Sequence, residues 1–172
     1  MKLFVTVGFE KRPFDRLVRT VDEAVAERRI PHQAFIQVGH GLYLPKACAY
    51  ERFIGFDEMI RRVNEADVII SHAGVGTLLL CRSLNKVPIL FPRNPRFDEH
   101  VDSHQLAFCR RMEREKRGLV AYTEEDLIAA VLNYRARAAN LPSDGAPAHR
   151  YSLNVTLARL LSTTPVWESE DS

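Results

Sequence analysis

The chain has 172 residues and is 46% hydrophobic, enough to bury one sizeable core and short for a two-domain enzyme. Lys and Arg (24) against Asp and Glu (22) leave a formal charge of +2, which argues against a nucleic-acid binder driven by counterion release. Cys48, Cys81 and Cys109 are widely spaced in apolar surroundings, so they suggest neither a disulfide framework nor a zinc ribbon, and no apolar run is long enough to span a bilayer. A cytoplasmic protein in a reducing compartment is expected.

Leu3 to Val7 reads as a buried strand that turns at Gly8. Phe14, Leu17, Val18, Val21 and Val25 then repeat at helical spacing until Arg29, with Pro31 as the stop. Ala34 to Val38 and Arg52 to Ile54 supply two more strands, joined through the loop from Gly39 to Pro45. Met59, Ile60 and Val63 mark a brief amphipathic helix before a strand from Val68 to Ser71. A helix follows from Thr77 through Leu84, and Pro88 to Pro92 is a strand with prolines at its ends. Glu99 to Lys116 reads as helical, Gly118 to Tyr122 as a last strand, and Thr123-Glu-Glu-Asp126 as a capping signature ahead of another helix. Residues 140–147 have a linker composition, and Leu153 to Leu161 make an apolar helix that would pack back on the domain or onto a partner, or else form a loose tail. The expected division is therefore a Rossmann-like domain over 1–136 and a linker with a carboxyl-terminal helix over 137–172.

Strands alternating with helices imply an α/β fold: a doubly wound parallel sheet with right-handed crossovers and strand order 3-2-1-4-5-6. In that order the first and fourth strands are neighbours at the switch point, so the turns after Val7 and after Ser71 face one crevice.

That places Gly8 beside His72-Ala-Gly74-Val75-Gly76-Thr77, a small-residue turn that opens a helix. Unpaired amides and the positive helix end make such a turn an anion site, with His72 as a donor to neutralise developing phosphate charge. The competing reading is a tight connection in which Gly74 and Gly76 only relieve strain. A second group, Asp98 to Gln105, lies after the fifth strand; here Glu99, Asp102, Ser103, His104 and Gln105 are placed to meet sugar hydroxyls or the distal phosphate. Metal ligation by His100, Asp102 and His104 is disfavoured, because alternate residues on a helix point to different sides and no further ligand completes a shell. A plain solvated helix start is the third reading. Arg93 would bring a guanidinium near phosphate, unless it is an ordinary surface arginine. Thr6-Val-Gly8-Phe-Glu10 is not a Gly-x-Gly-x-x-Gly turn, which disfavours nicotinamide and flavin chemistry, and the cysteines have no evident base.

Taken in order, Phe4-Val-Thr-Val-Gly8, Pro13-Phe-Asp-Arg-Leu17, His72 to Thr77, Pro92-Arg93 and Glu99 to Gln105 resemble the glycosyltransferase family 28 C-terminal domain over about residues 2 to 135. The nearest likeness is to the stand-alone PssE-like subunits of bacterial exopolysaccharide synthesis; the eukaryotic subunit that adds the second N-acetylglucosamine to the dolichol-linked precursor is a more distant one. The resemblance implies a GT-B enzyme split into two chains, this one holding the UDP-sugar donor and a membrane-associated, PssD-like partner supplying the acceptor half and a polyprenyl-diphosphate sugar. It implies inversion at the anomeric carbon, no cofactor, no essential metal and recruitment to the inner face of the membrane. By position Gly74, Gly76 and Thr77 would take the diphosphate and His104 and Gln105 the donor, with His72 and His104 the residues expected to be catalytic. A chain starting directly at its first strand is expected to lack the acceptor domain. Many relatives grip the ribose with a glutamate on the helix after the glycine turn; this chain has Leu80 and Cys81 there. The rival readings are a non-catalytic subunit that stabilises a membrane transferase and, more remotely, a sugar-nucleotide epimerase.

Overall fold

Six short strands pair into one all-parallel sheet in the order β3-β2-β1-β4-β5-β6, the order expected from the alternation of strands and helices. The structure, a computed structural model, describes residues 1–141, which fall within a compact unit spanning Met1–Pro142. The strands are β1 (Lys2–Thr6), β2 (Gln33–Gln37), β3 (Ala49–Glu51), β4 (Val68–Ser71), β5 (Ile89–Leu90) and β6 (Leu119–Val120). The helices are α1 (Asp15–Ala26), α2 (Phe56–Glu65), α3 (Val75–Ser83), α4 (His104–Arg114), α5 (Glu124–Leu132) and α6 (Tyr134–Ala139), with a 3-10 turn at Pro95–Phe97.

Alternation along the strands assigns each residue to a face. Leu3, Val5 and Val7, with Ile36, Val68, Ile70 and Ile89, pack against Phe14, Leu17, Val18 and Val21 of the α1 region and Leu127, Ile128 and Val131 of α5. On the other face Leu90 and Val120 meet Leu78 of α3 and Cys109 and Met112 of α4. Helix α5 starts as its sequence directs: the Thr123 hydroxyl accepts from Asp126 N at 3.1 Å while the Asp126 carboxylate accepts from Thr123 N at 3.3 Å.

Several boundaries differ from expectation. The third strand lies at Ala49–Glu51 rather than 52–54; it is a sheet edge with all three residues exposed, so no apolar pattern marks it. Helix α1 ends at Ala26, closed by Arg28 in the left-handed region (φ 57°) and by a bond from Ile30 N to Ala24 O of 2.9 Å. Helix α4 begins at His104, not Glu99, because Asp98 is left-handed (φ 56°) and Glu99 is drawn inward. The expected division after residue 136 falls inside α6, and Tyr134, Ala138 and Leu141 pack on the main core. The apolar segment from Leu153 to Leu161 lies outside the described residues. Among the described residues no helix is long and apolar enough to cross a membrane.

Candidate functional site

Strand register brings the two turns together. Val5 lies opposite Ile70 and Thr6 opposite Ser71, so Gly8 and His72 emerge side by side at the carboxyl end of the sheet. They are in contact: a Cβ on Gly8 would meet His72 Nε2 and Cε1 at 2.5 Å, and one on Gly74 would run into the same ring. Gly8 also has φ +77°, a conformation glycine adopts without strain.

The Gly8 turn is held from the next strand. Gln37 is fully buried, and its Oε1 accepts from Gly8 N at 3.2 Å and the Thr6 hydroxyl at 2.7 Å. Its Nε2 donates to Gly8 O at 3.1 Å and Arg52 O at 2.9 Å. By sequence, Gln37-Val-Gly39-His40-Gly41 reads as a flexible loop, whereas Gln37 ends β2 and braces the Gly8 turn; a polar residue at the carboxyl end of an apolar strand is the signal for it.

Helix α3 starts uncapped. Gly74 is its N-cap residue, no side chain caps it, and the first helical bond runs from Leu78 N to Gly74 O at 3.1 Å. The amides of Val75, Gly76 and Thr77 therefore have no helical acceptor, and Val75 and Gly76 are exposed. The glycines here are not relieving backbone strain. Gly74 has φ −70°, and the left-handed residue of the turn is Ala73 at φ 65°. Gly74 is small because of His72. Gly76 has neither reason: φ is not positive and a Cβ there would meet nothing within 4 Å.

His72 differs from its expected role. Nδ1 lies 3.3 Å from Thr6 O, a carbonyl that can only accept, so Nδ1 carries the hydrogen and Nε2 is an acceptor. Burial, reinforced by the Arg93 charge, pushes the imidazole down to about 4. At neutral pH the ring is uncharged and fills the space between two glycine turns; it is not a cation for phosphate.

Arg93 and Glu99 are likewise turned inward. Arg93 is 1% exposed and its guanidinium donates to four backbone carbonyls, so it does not project to a ligand. Glu99, 4% exposed, accepts Arg16 Nε at 2.8 Å and Nη2 at 2.9 Å and the Asn94 amide at 2.9 Å. Asp102 occupies the start of α4, accepting His104 N at 2.9 Å, and this bond holds its carboxyl below the usual range. The positive end of α4 is thus already met by a carboxylate, whereas that of α3 is open. The His104 side chain is 89% exposed, with Nε2 3.9 Å from Asp102 Oδ2. Gln105 accepts Arg93 N at 3.0 Å through Oε1, leaving its amide hydrogens free to donate.

Leu80 and Cys81 are 6% and 0% exposed, so neither offers a ribose contact. Burial pushes the thiols of Cys48, Cys81 and Cys109 up to about 12, which leaves them unreactive as nucleophiles. On the other side of Gly8, Phe9 and Phe53 stack at 5.9 Å and His40 meets Phe53 edge-on at 4.9 Å, forming an exposed aromatic ledge. A hollow of about 380 Å³ between Phe4, Phe35, Val25 and Arg62 lies at the amino ends of β1 and β2, away from the crevice where open α/β sheets hold ligands.

A doubly wound parallel sheet with a glycine turn and an uncapped helix start at its switch point defines a Rossmann-like class of domain. The chain belongs to the glycosyltransferase family 28 C-terminal domain family, whose model matches residues 2–151. The human UDP-N-acetylglucosamine transferase subunit ALG13 is 27% identical over 122 residues, 66% of this chain and 10% of that protein, so this chain spans about a tenth of that relative's length. Among solved structures, the glycotransferase of kitacinnamycin matches 86% of this chain and 36% of its own, with a TM-score of 0.56 and 17% identity. The spinosyn forosaminyltransferase SpnP matches 95% of this chain and 40% of its own with the same score and identity. MurG of Acinetobacter baumannii matches 80% and 42%, with a TM-score of 0.53 and 18% identity. The fold is that of the Rossmann-like half of GT-B glycosyltransferases.

Proposed function

We propose that this chain is the donor-binding, catalytic subunit of a two-component inverting glycosyltransferase, which holds a UDP-sugar by its diphosphate at the amino end of α3. Gly76 carries the reading. In the first turn of a helix a glycine costs up to about 1 kcal/mol against alanine, and no backbone angle or neighbouring atom of this chain requires it. A ligand approaching the open amides of Val75, Gly76 and Thr77 does require it. Family membership and the name of the human relative, a UDP-N-acetylglucosamine transferase subunit, support the donor class and the two-chain organisation.

In this reading the α3 amides and helix end stabilise the charge that gathers on the leaving UDP. The neutral His72 ring shapes the floor of the site, and Gln105 and His104 on α4 reach the donor sugar. Among the described residues no side chain at the crevice is arranged as a general base toward an acceptor; in this reading the base is supplied by a membrane-associated, PssD-like partner that presents a polyprenyl-diphosphate-linked acceptor in polysaccharide synthesis. That partner would recruit a cytoplasmic chain to the inner face of the membrane. No metal or cofactor enters the mechanism.

The test is calorimetric titration of the chain, alone and with its partner, with UDP and a panel of UDP-sugars. Saturable UDP binding that is lost in Gly76→Val supports the reading. No binding in either state defeats it.

A further inference from the structure

Arg93 is among the largest fully buried side chains of the protein, and its hydrogen bonds all go to backbone carbonyls. Nη1 donates to Arg12 O at 2.8 Å, Glu99 O at 3.1 Å and Pro13 O at 3.3 Å, and Nη2 to Val7 O at 2.9 Å. Cζ lies 4.7 Å over the Phe14 ring, and Nε is buried with no partner. Among the described residues no carboxylate forms an ion pair with it; Glu99, which lends only its carbonyl, gives its carboxylate to Arg16.

A positive charge is therefore buried against carbonyl dipoles and the face of Phe14, with the carboxylates of Glu10 and Glu99 close enough to act on it but neither paired with it. That is a costly arrangement, since buried charges in proteins are ordinarily paired. Tying the β1 and β5 loops together would not require it: an arginine paired with an acid, or a neutral amide, would serve. The location explains what the charge can do. Val7, whose carbonyl Nη2 holds, precedes Gly8, and the ring of His72 fills the space beside Gly8. The cation thus lies under the turn that leads into α3. Fields inside a low-dielectric interior are far less screened than those of surface lysines, so this charge reaches the crevice without touching what is bound there.

We infer that Arg93 is a positioning residue whose buried, unpaired charge sets a positive potential beneath the β4–α3 turn, so that the crevice ranks ligands by their negative charge. The inference rests on the diphosphate reading above and deepens it. The α3 amides make the contact, and Arg93 supplies the bias toward di-anionic and tri-anionic ligands. The burial that holds His72 down to about 4 is joined by the Arg93 charge, in keeping with a field felt at the turn itself.

The experiment compares wild type, Arg93→Gln and Arg93→Lys by chemical-shift titration with uridine, UMP and UDP at fixed low ionic strength, a method that reads millimolar as well as micromolar affinities. Arg93→Gln is expected to lower the UDP-to-uridine affinity ratio about tenfold, with UMP between. Arg93→Lys, which keeps the charge and loses the fork, is expected to hold that ratio within about threefold even if it melts earlier. Equal losses for all three ligands in Arg93→Gln, or a lysine variant that loses the ratio as fully as the glutamine one, overturn the inference. If Arg93→Gln does not fold, the ratio in Arg93→Lys decides alone: retention supports the inference and a tenfold collapse overturns it. A second readout needs no ligand. The His72 imidazole titrates at higher pH in Arg93→Gln than in Arg93→Lys, and an unchanged value overturns the inference even if UDP binds. Failure of wild type to bind UDP is a separate result and sinks the diphosphate reading itself.

Discussion

The imidazole of His72 stands in the place that a side chain on Gly8 would occupy, with Nε2 and Cε1 2.5 Å from that Cβ position. Gly74 gives way to the same ring. Two glycines 66 residues apart thus answer to one histidine. Gly8→Ala combines this clash with a positive φ and is expected to destabilise the fold by about 2–4 kcal/mol. Gly74→Ala meets only the clash and should cost about 1–3 kcal/mol. If the ring is the cause, most of the Gly74→Ala cost disappears in a His72→Ala background. A double-mutant cycle by urea unfolding measures this, and simple additivity would refute it.

Gly76 predicts the opposite sign. With open space at its Cβ position, Gly76→Ala should leave stability unchanged or raise it by up to about 1 kcal/mol. UDP affinity should nevertheless fall tenfold or more. Val75→Asp sharpens the contrast, because an acid in the first turn of α3 favours the helix by about 0.3–1 kcal/mol while repelling a diphosphate. Thermal melting and UDP titration of both variants check the pair of effects; binding that tracks stability would count against the site.

Much of this arrangement could be read from the chain. The strands after Met1, Pro31 and Asp67 are apolar runs with clear stops, and their alternation with helices gave the sheet order and hence the meeting of Gly8 with His72. What escaped reading depends on contacts between distant loops. Arg93 looks like a surface arginine until carbonyls from Val7, Arg12, Pro13 and Glu99 are gathered around it. His72 looks like a donor until Thr6 O claims Nδ1 and burial removes its charge. The edge strand Ala49–Glu51 has no buried residue to announce it, and α4 starts late because Asp98 and Glu99 serve loop geometry that no helical period records.

Desolvation of the half-buried, neutral His72 ring ties stability to pH. In the unfolded chain the imidazole takes up a proton near 6.5, whereas in the folded protein it does so only at about 4. Between those values the unfolded state binds more protons, so this contribution is complete above about pH 6.5 and is lost as pH falls toward 4, by about 3 kcal/mol at most. His72→Gln should therefore flatten the decline in unfolding free energy between pH 7 and pH 4.5. Denaturant melts of both proteins across that range test it. The same shift means that no inflection between pH 5.5 and 8 in transfer rate should belong to His72, which pH profiles of the two proteins compare directly.

Asp22 is a buried ionisable group with a structural task of its own. It is 2% exposed on α1, yet its carboxylate accepts four hydrogen bonds: Tyr43 Oη at 2.7 Å, Lys46 N and Ala47 N at 2.8 Å, and Cys48 N at 2.9 Å. Burial works against its charge, but these donors outweigh it and hold the carboxyl below the ordinary range. The loop from Tyr43 to Cys48, which leads into β3, is thereby fastened to α1. An asparagine keeps one acceptor oxygen and turns an amide NH₂ toward backbone N–H groups, so Asp22→Asn strands buried donors at about 1–3 kcal/mol each. The expected loss is about 3 kcal/mol or more, with amide exchange at Lys46, Ala47 and Cys48 rising well beyond that of β1. Because this loop touches neither the α3 amides nor Gly8, UDP affinity of whatever fraction remains folded should be unchanged. Hydrogen exchange paired with UDP titration separates the two, and loss of binding by the folded fraction would show that the loop contributes to the crevice after all.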